Sequence, residues 1–258
     1  MSRIYDALKK AERERQGLAG PEPGAAGAPA AAGAAPAAVG GEVPPTAWGV
    51  VPPELLKELS GVRRVLEASL PDRTRFALGV LSSVPGEGVT TTLLGFARTL
   101  VSDARLRVLL VDADSESHQL SRLWAEPGAP GWSDLSRPDQ AGSAIRPTPL
   151  PGLHVLPFGS RALVSPAQLA ELLVEGVRLV AQQFDYVLFD CGSVLQTPLT
   201  RYLARAMDGV LLVVHASSTR REICLKAVEE LRQSEAPVLG VVLNRRRYVI
   251  PEALYKRI

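Results

Sequence analysis

From Phe76 onward, short runs of nearly continuous Val and Leu alternate with segments of helical periodicity, and this alternation constrains the fold more than any other feature of the chain. Strands that are apolar at almost every position must be covered on both faces, an arrangement that parallel strands joined by crossover helices provide. The pattern predicts strands at Phe76–Ser82, Arg107–Asp112, Leu153–Pro157, Tyr186–Asp190, Gly209–Val214 and Val238–Leu243. Helices are expected at Glu54–Leu70, Thr90–Ser102, Pro166–Gln183, Thr197–Met207 and Thr219–Ser234. The expected fold class is α/β, a three-layer, doubly wound, mainly parallel sheet, occupying residues 53–258.

Two segments precede it. Residues 1–16 carry Ile4, Leu8 and Ala11 at helical spacing behind Ser2 as N-cap, which predicts a short amphipathic helix. Residues 17–52 are dominated by Ala, Pro and Gly and read as a disordered linker, since such side chains bury little apolar surface. With 46% hydrophobic residues among 258 the rest can fill a core. A formal charge of +2 gives no overall field for nucleic acid or anionic lipid, so no nucleic-acid partner is expected. Cys191 and Cys224, both in apolar runs, suit buried thiols rather than a disulfide framework. With no apolar stretch of spanning length, the expected location is the cytoplasm, with a partner recruiting the chain to the inner face of the membrane.

The chemistry sits where strands end. Ser82 to Thr92 reads S-S-V-P-G-E-G-V-T-T-T, between the first strand and a helix. In such a loop the backbone N–H groups at a helix N-terminus converge on phosphate oxygens, and the following hydroxyl can reach Mg²⁺. Pro85, Gly86, Glu87, Gly88, Val89, Thr90 and Thr91 are therefore the candidate nucleotide-binding residues. R-V-L-L-V-D-A-D ends in Asp112 and Asp114, on one side of the chain at period two. F-D-Y-V-L-F-D ends in Asp190. A lone acid after an apolar strand is ordinarily a cap or loop residue, but three of them behind a phosphate loop point to Mg²⁺ held by Thr90, Asp112 and Asp190, with Asp112, Asp114 and Asp190 as catalytic candidates.

These motifs resemble those of the bacterial tyrosine kinases (BY-kinases) of capsule and exopolysaccharide synthesis, from about Glu54 to the end of the chain. The Ser82–Thr92 segment is similar to that family's Walker A motif S-S-x-P-G-E-G-K-S-T, and V-L-L-V-D-A-D to its Walker A′ motif. G-W-S-D-L, A-I-R-P-T, P-G-L-H-V-L-P-F-G, S-P-A-Q-L, F-D-Y-V-L-F-D and D-G-V-L-L-V-V follow in the family's order. The resemblance implies a deviant-Walker P-loop NTPase fold, ATP or ADP with Mg²⁺ as cofactor, Asn244 of G-V-V-L-N-R at the adenine, Tyr248 and Tyr255 as phosphorylation candidates, and self-association. It also implies a membrane polysaccharide co-polymerase, a chain-length protein, as partner.

The departures fall in the catalytic ring. Val89 replaces the Walker A lysine, Ser115 to His118 replace the arginines expected after D-A-D, and Cys191-Gly192-Ser193 replaces T-P-P. The assembly helix motif E-x-x-R-x-x-R is partly met by Glu58 and Arg64, with Gly61 where an arginine belongs. Neither Arg98 nor Arg122 is placed to substitute for the lysine. A charge-assisted hydrogen bond contributes roughly 1.5–3 kcal/mol, so its loss weakens binding by about one to two decades. The expectation is a degenerate, pseudokinase-like regulator whose nucleotide binding is weak or absent. An active protein-tyrosine autokinase is the first alternative. A Min/Par-type positioning ATPase is the second, and the lack of an early lysine in Ser82–Pro85 argues against it. His118, His154 and His215 have no metal-ligand spacing. Cys191, beside Asp190, is a poor nucleophile.

Overall fold

A parallel sheet whose central strands show no exposed position is what the Val/Leu runs demand, and it is what forms. The computed structural model describes residues 53–71, 73–103, 105–126, 128–160 and 165–245. The N-terminal helix, the linker, Tyr248 and Tyr255 lie outside the described residues. The chain divides into Met1–Val39 and Gly40–Ile258, and every described residue belongs to the second unit.

In chain order the elements are α1 (Pro53–Ser69), β1 (Phe76–Ser82), α2 (Val89–Asp103), β2 (Val108–Ala113), α3 (Gln119–Trp124), α4 (Ala141–Ala144), β3 (Arg146–Pro147), β4 (Leu153–Leu156), α5 (Pro166–Val180), β5 (Tyr186–Ser193), α6 (Pro198–Ala204), β6 (Gly209–His215), α7 (Arg221–Gln233) and β7 (Val238–Asn244). Single turns of 3₁₀ helix occur at Trp132–Asp134, Pro138–Gln140 and Ala181–Gln183. The sheet order is β3-β4-β2-β5-β1-β6-β7. All neighbours are parallel except β3 and β4, which are antiparallel.

Each face of the sheet carries its own apolar layer. One joins Leu59, Leu66, Leu93, Phe96 and Leu100 of α1 and α2 to Leu78, Val108, Leu110 and Leu188. The other joins Leu173, Val177, Leu199, Leu203, Ala227 and Leu231 of α5, α6 and α7 to Leu109, Val111, Val187 and Leu212. β2 and β5 are buried along their whole lengths because both faces are covered. Helix α1 is also tied by a polar contact: the Tyr186 hydroxyl donates to Glu67 Oε1 at 3.1 Å, and Arg63 Nε donates to the same oxygen at 2.8 Å. Burial and the neighbouring carboxylate push the Tyr186 phenol well above its ordinary range.

Several boundaries differ from expectation. β2 begins and ends one residue later, β5 runs three residues further to Ser193, and α6 is confined to Pro198–Ala204. The short elements α3, α4 and β3 have no periodic signature and are held by tertiary contacts. Trp132 N donates to Pro157 O and Ser133 N to Phe158 O, joining the loop after α3 to the end of β4. Among the described residues no helix is long and apolar enough to cross a membrane.

Candidate nucleotide site

β1, β2, β5, β6 and β7 all run the same way, so their carboxyl ends bring the motif residues to one edge. The loop after β1 turns through Gly86 and Gly88, whose φ angles of 84° and 95° lie in the left-handed region that side chains disfavour. Gly88 is also packed: a Cβ there would stand 2.1 Å from Asn244 Nδ2. Helix α2 then starts at Val89, and the Thr92 hydroxyl turns back onto Gly88 O at 2.9 Å. Pro85 and Gly86 are exposed, while Thr90 and Thr91 are half-buried at the helix N-terminus. A glycine turn leading into a helix N-terminus is the backbone arrangement that suits a phosphate.

Val89 is partly buried and packs against the α1–α2 apolar layer. The position of the family's lysine is thus an apolar contact. Arg98 is nine residues further along α2, about 13 Å at 1.5 Å per residue, too far to serve in its place.

Glu87, expected among the nucleotide contacts, is instead an internal brace with only 2% of its surface exposed. Its Oε2 accepts from Ser83 N at 2.7 Å and Val84 N at 3.0 Å; its Oε1 accepts from His215 N at 3.1 Å and from the Thr219 hydroxyl. Asn244, expected at the adenine, donates from Nδ2 to Glu87 O at 2.8 Å, and its Oδ1 accepts from Arg245 N at 2.8 Å. Both ends of its amide are engaged by the protein. In this structure both side chains hold the loop.

The acids divide by environment. β2 and β5 place Asp112 beside Asp190 in register. Asp112, fully buried, accepts from Ser121 N at 2.7 Å and Ser121 Oγ at 2.6 Å through Oδ2, and from Asp114 N at 3.3 Å through Oδ1. Burial raises its carboxyl above the ordinary range, while the Ser121 and Asp114 donors pull the other way. Asp114 accepts from Glu116 N at 3.0 Å and from the Ser117 hydroxyl, so it caps its own loop. Asp190 is 2% exposed, and its Oδ2 has no hydrogen-bond partner. Burial first, and the charge of Asp112 second, push its carboxyl well up, opposed by a hydrogen bond from Thr90. An orphaned, buried carboxylate oxygen beside the first hydroxyl of α2 is chemically suited to a divalent cation. Such an ion takes one or two carboxylates and completes its shell with phosphate and water. Among the described residues no three or more His, Cys, Asp and Glu side chains cluster as a metal cage, so the protein alone supplies only part of a Mg²⁺ shell.

Gly192 explains one departure from the family pattern. A Cβ at this position would lie 2.9 Å from both Asp114 Oδ1 and Thr197 Oγ1, so the segment after Asp190 closes on Asp114 as no bulkier residue could. Cys191 is 1% exposed, and burial followed by the Asp190 charge raises its thiol well above the ordinary range, which disfavours the nucleophilic thiolate. His154 is pulled down by burial and stacks edge-on against Phe184. Sequence reasoning missed Ser121, Trp132, whose Nε1 donates to Asp112 O at 2.6 Å, and the His215–Thr219 turn. Only Trp132 had a signal, the G-W-S-D-L stretch.

The family described as cellulose biosynthesis protein BcsQ matches residues 78–233. Tyrosine-protein kinase CpsD of Streptococcus agalactiae is 30% identical over 175 residues, covering 65% of this chain and 73% of CpsD. Tyrosine-protein kinase YwqD of Bacillus subtilis is 26% identical over 192 residues, covering 72% of this chain and 79% of YwqD. In structure, the kinase domain of the Escherichia coli tyrosine kinase ETK superposes with a TM-score of 0.62 at 18% identity, covering 76% of this chain and 79% of that one.

Proposed function

Because this chain belongs to the bacterial tyrosine kinase family and carries a BcsQ-type domain, we propose that it is a degenerate, kinase-like regulator of exopolysaccharide or capsule synthesis and export. It binds Mg²⁺-nucleotide weakly and acts in the cytoplasm through a membrane chain-length protein that recruits it. One observation carries the demotion: Val89 packs into the α1–α2 apolar layer where the family's motif has a lysine. The glycine-built turn survives, so backbone N–H groups still meet phosphate. The cation that would lie between the transferring phosphates is gone, and electrostatic stabilisation of the transition state goes with it. When bound, Mg²⁺ would be held by Thr90, Asp112 and Asp190 and would neutralise phosphate charge.

Deletion of the gene tests the role. The proposal expects polysaccharide of altered amount or length, restored equally by wild type and by an Asp190→Asn variant, and unchanged polysaccharide would count heavily against it. The retained acids, with Asp190 Oδ2 open, favour the active autokinase as second reading. Phosphotyrosine at Tyr248 or Tyr255 that disappears in Asp112→Asn would establish that reading instead.

A further inference from the structure

The two edges of the sheet are unlike. At one, β3 is two residues long and consists of Arg146 and Pro147. A strand so short, with a charge and a proline, gives another chain little to pair with. At the other, β7 runs seven residues, V-L-G-V-V-L-N, without a charge or a proline. One side of β7 pairs in parallel with β6, and among the described residues no strand pairs with its other side. None of its residues is buried, whereas β6 is buried from Gly209 to Val214.

What β7 exposes is apolar. Val241 is 40% exposed and Leu243 57%. They lie in register with Leu212 and Val214, on the sheet face that carries the α5–α7 apolar layer, and form a short stripe at the rim of that layer. A Cβ on Gly240 would meet no atom within 4 Å, so the strand is also unobstructed there. Such an edge is a template for an added strand: main-chain hydrogen bonds give affinity, and the side-chain stripe gives fit.

The stripe suits an uncharged apolar strand, and β7 is itself one. Antiparallel pairing about a two-fold axis sets Val241 and Leu243 of one copy against Leu243 and Val241 of the other. It also turns the basic end of each strand, at exposed Arg245, toward the start of the other, which exposed Glu235 precedes. Parallel pairing would bring arginine to arginine. With the β3 edge blunted, the two-fold contact closes on itself and growth stops at two copies. We propose that β7 is a self-association edge through which two copies of this chain join their seven-stranded sheets into one. The contact is independent of whether the site binds nucleotide.

Sedimentation velocity of the full chain over the micromolar range should show a dimer that dissociates on dilution. Val241→Lys and Leu243→Lys, each placing a charge on the stripe, should each raise the dissociation constant by about tenfold or more with the circular dichroism unchanged. Amide hydrogen exchange of the wild type needs no variant: β7 should exchange more slowly at concentrations where the dimer forms than where it does not. A wild type that stays monomeric throughout overturns the proposal, and β7 amides protected in that monomer would show that another part of the same chain covers the edge. A dimer indifferent to both lysines overturns it as well, and loss of that dimer in Arg64→Glu would place the contact on α1 instead.

Discussion

Replacing Asp190 by Asn should make the protein more stable. Its Oδ2 is buried without a partner, and the charge of Asp112 on the neighbouring strand opposes ionisation. An unsatisfied buried polar group costs about 1–3 kcal/mol, and more when charged. Asn keeps the shape and removes the charge but leaves an amide to satisfy, so a net gain of about 1–2 kcal/mol is expected, or about 2–8 °C in Tm for a domain of this size. The pH dependence has a fixed sign. A carboxyl raised in the folded state stabilises the fold below its unfolded pKa, and that contribution is lost as pH rises through the folded value. The advantage of Asn over Asp should therefore be small in acid and grow toward neutral pH. Thermal unfolding from pH 4.5 to 8, followed by circular dichroism, reads it directly. A variant that melts lower than wild type at pH 7.5 would refute the reasoning and show that Asp190 has a cationic or donor partner in solution.

Tyr186→Phe removes the hydroxyl that ties β5 to Glu67 on α1; the expected loss is about 1 kcal/mol, read as a denaturant midpoint shift with unchanged slope. Gly192→Ala places a methyl against Asp114 and Thr197 and should cost about 1–3 kcal/mol in the same assay. In native protein a thiol reagent should modify half-buried Cys224 and spare Cys191, and equal reaction of both would contradict the described burial.

The sheet was legible because its strands are apolar on both faces, so the Val/Leu runs mark them almost residue by residue: β1 falls at Phe76–Ser82, as expected. The segment from Gln119 to Pro147 was not legible. Its short helix, 3₁₀ turns and two-residue strand are shaped by contacts such as Trp132 Nε1 on Asp112 O, which no periodicity records. At the site, motif spacing placed the glycine turn and the acids at one edge, since those positions follow from strand ends. That Glu87 and Asn244 also hold the loop did not follow. Whether a polar side chain faces ligand or protein depends on partners far along the chain, and Glu87 meets His215 and Thr219 across the sheet edge. Asp114 likewise has its partners in its own loop, a local capping pattern that lone acids after strands commonly show.

The central claim is that the cradle is intact and lacks its cation. Calorimetric titration of the wild type and Val89→Lys with Mg·ATP tests it most directly. The account predicts weak wild-type binding, at or above the high micromolar range, and a gain of about one to two decades in Val89→Lys. Micromolar binding by the wild type, with no gain from the lysine, would contradict it.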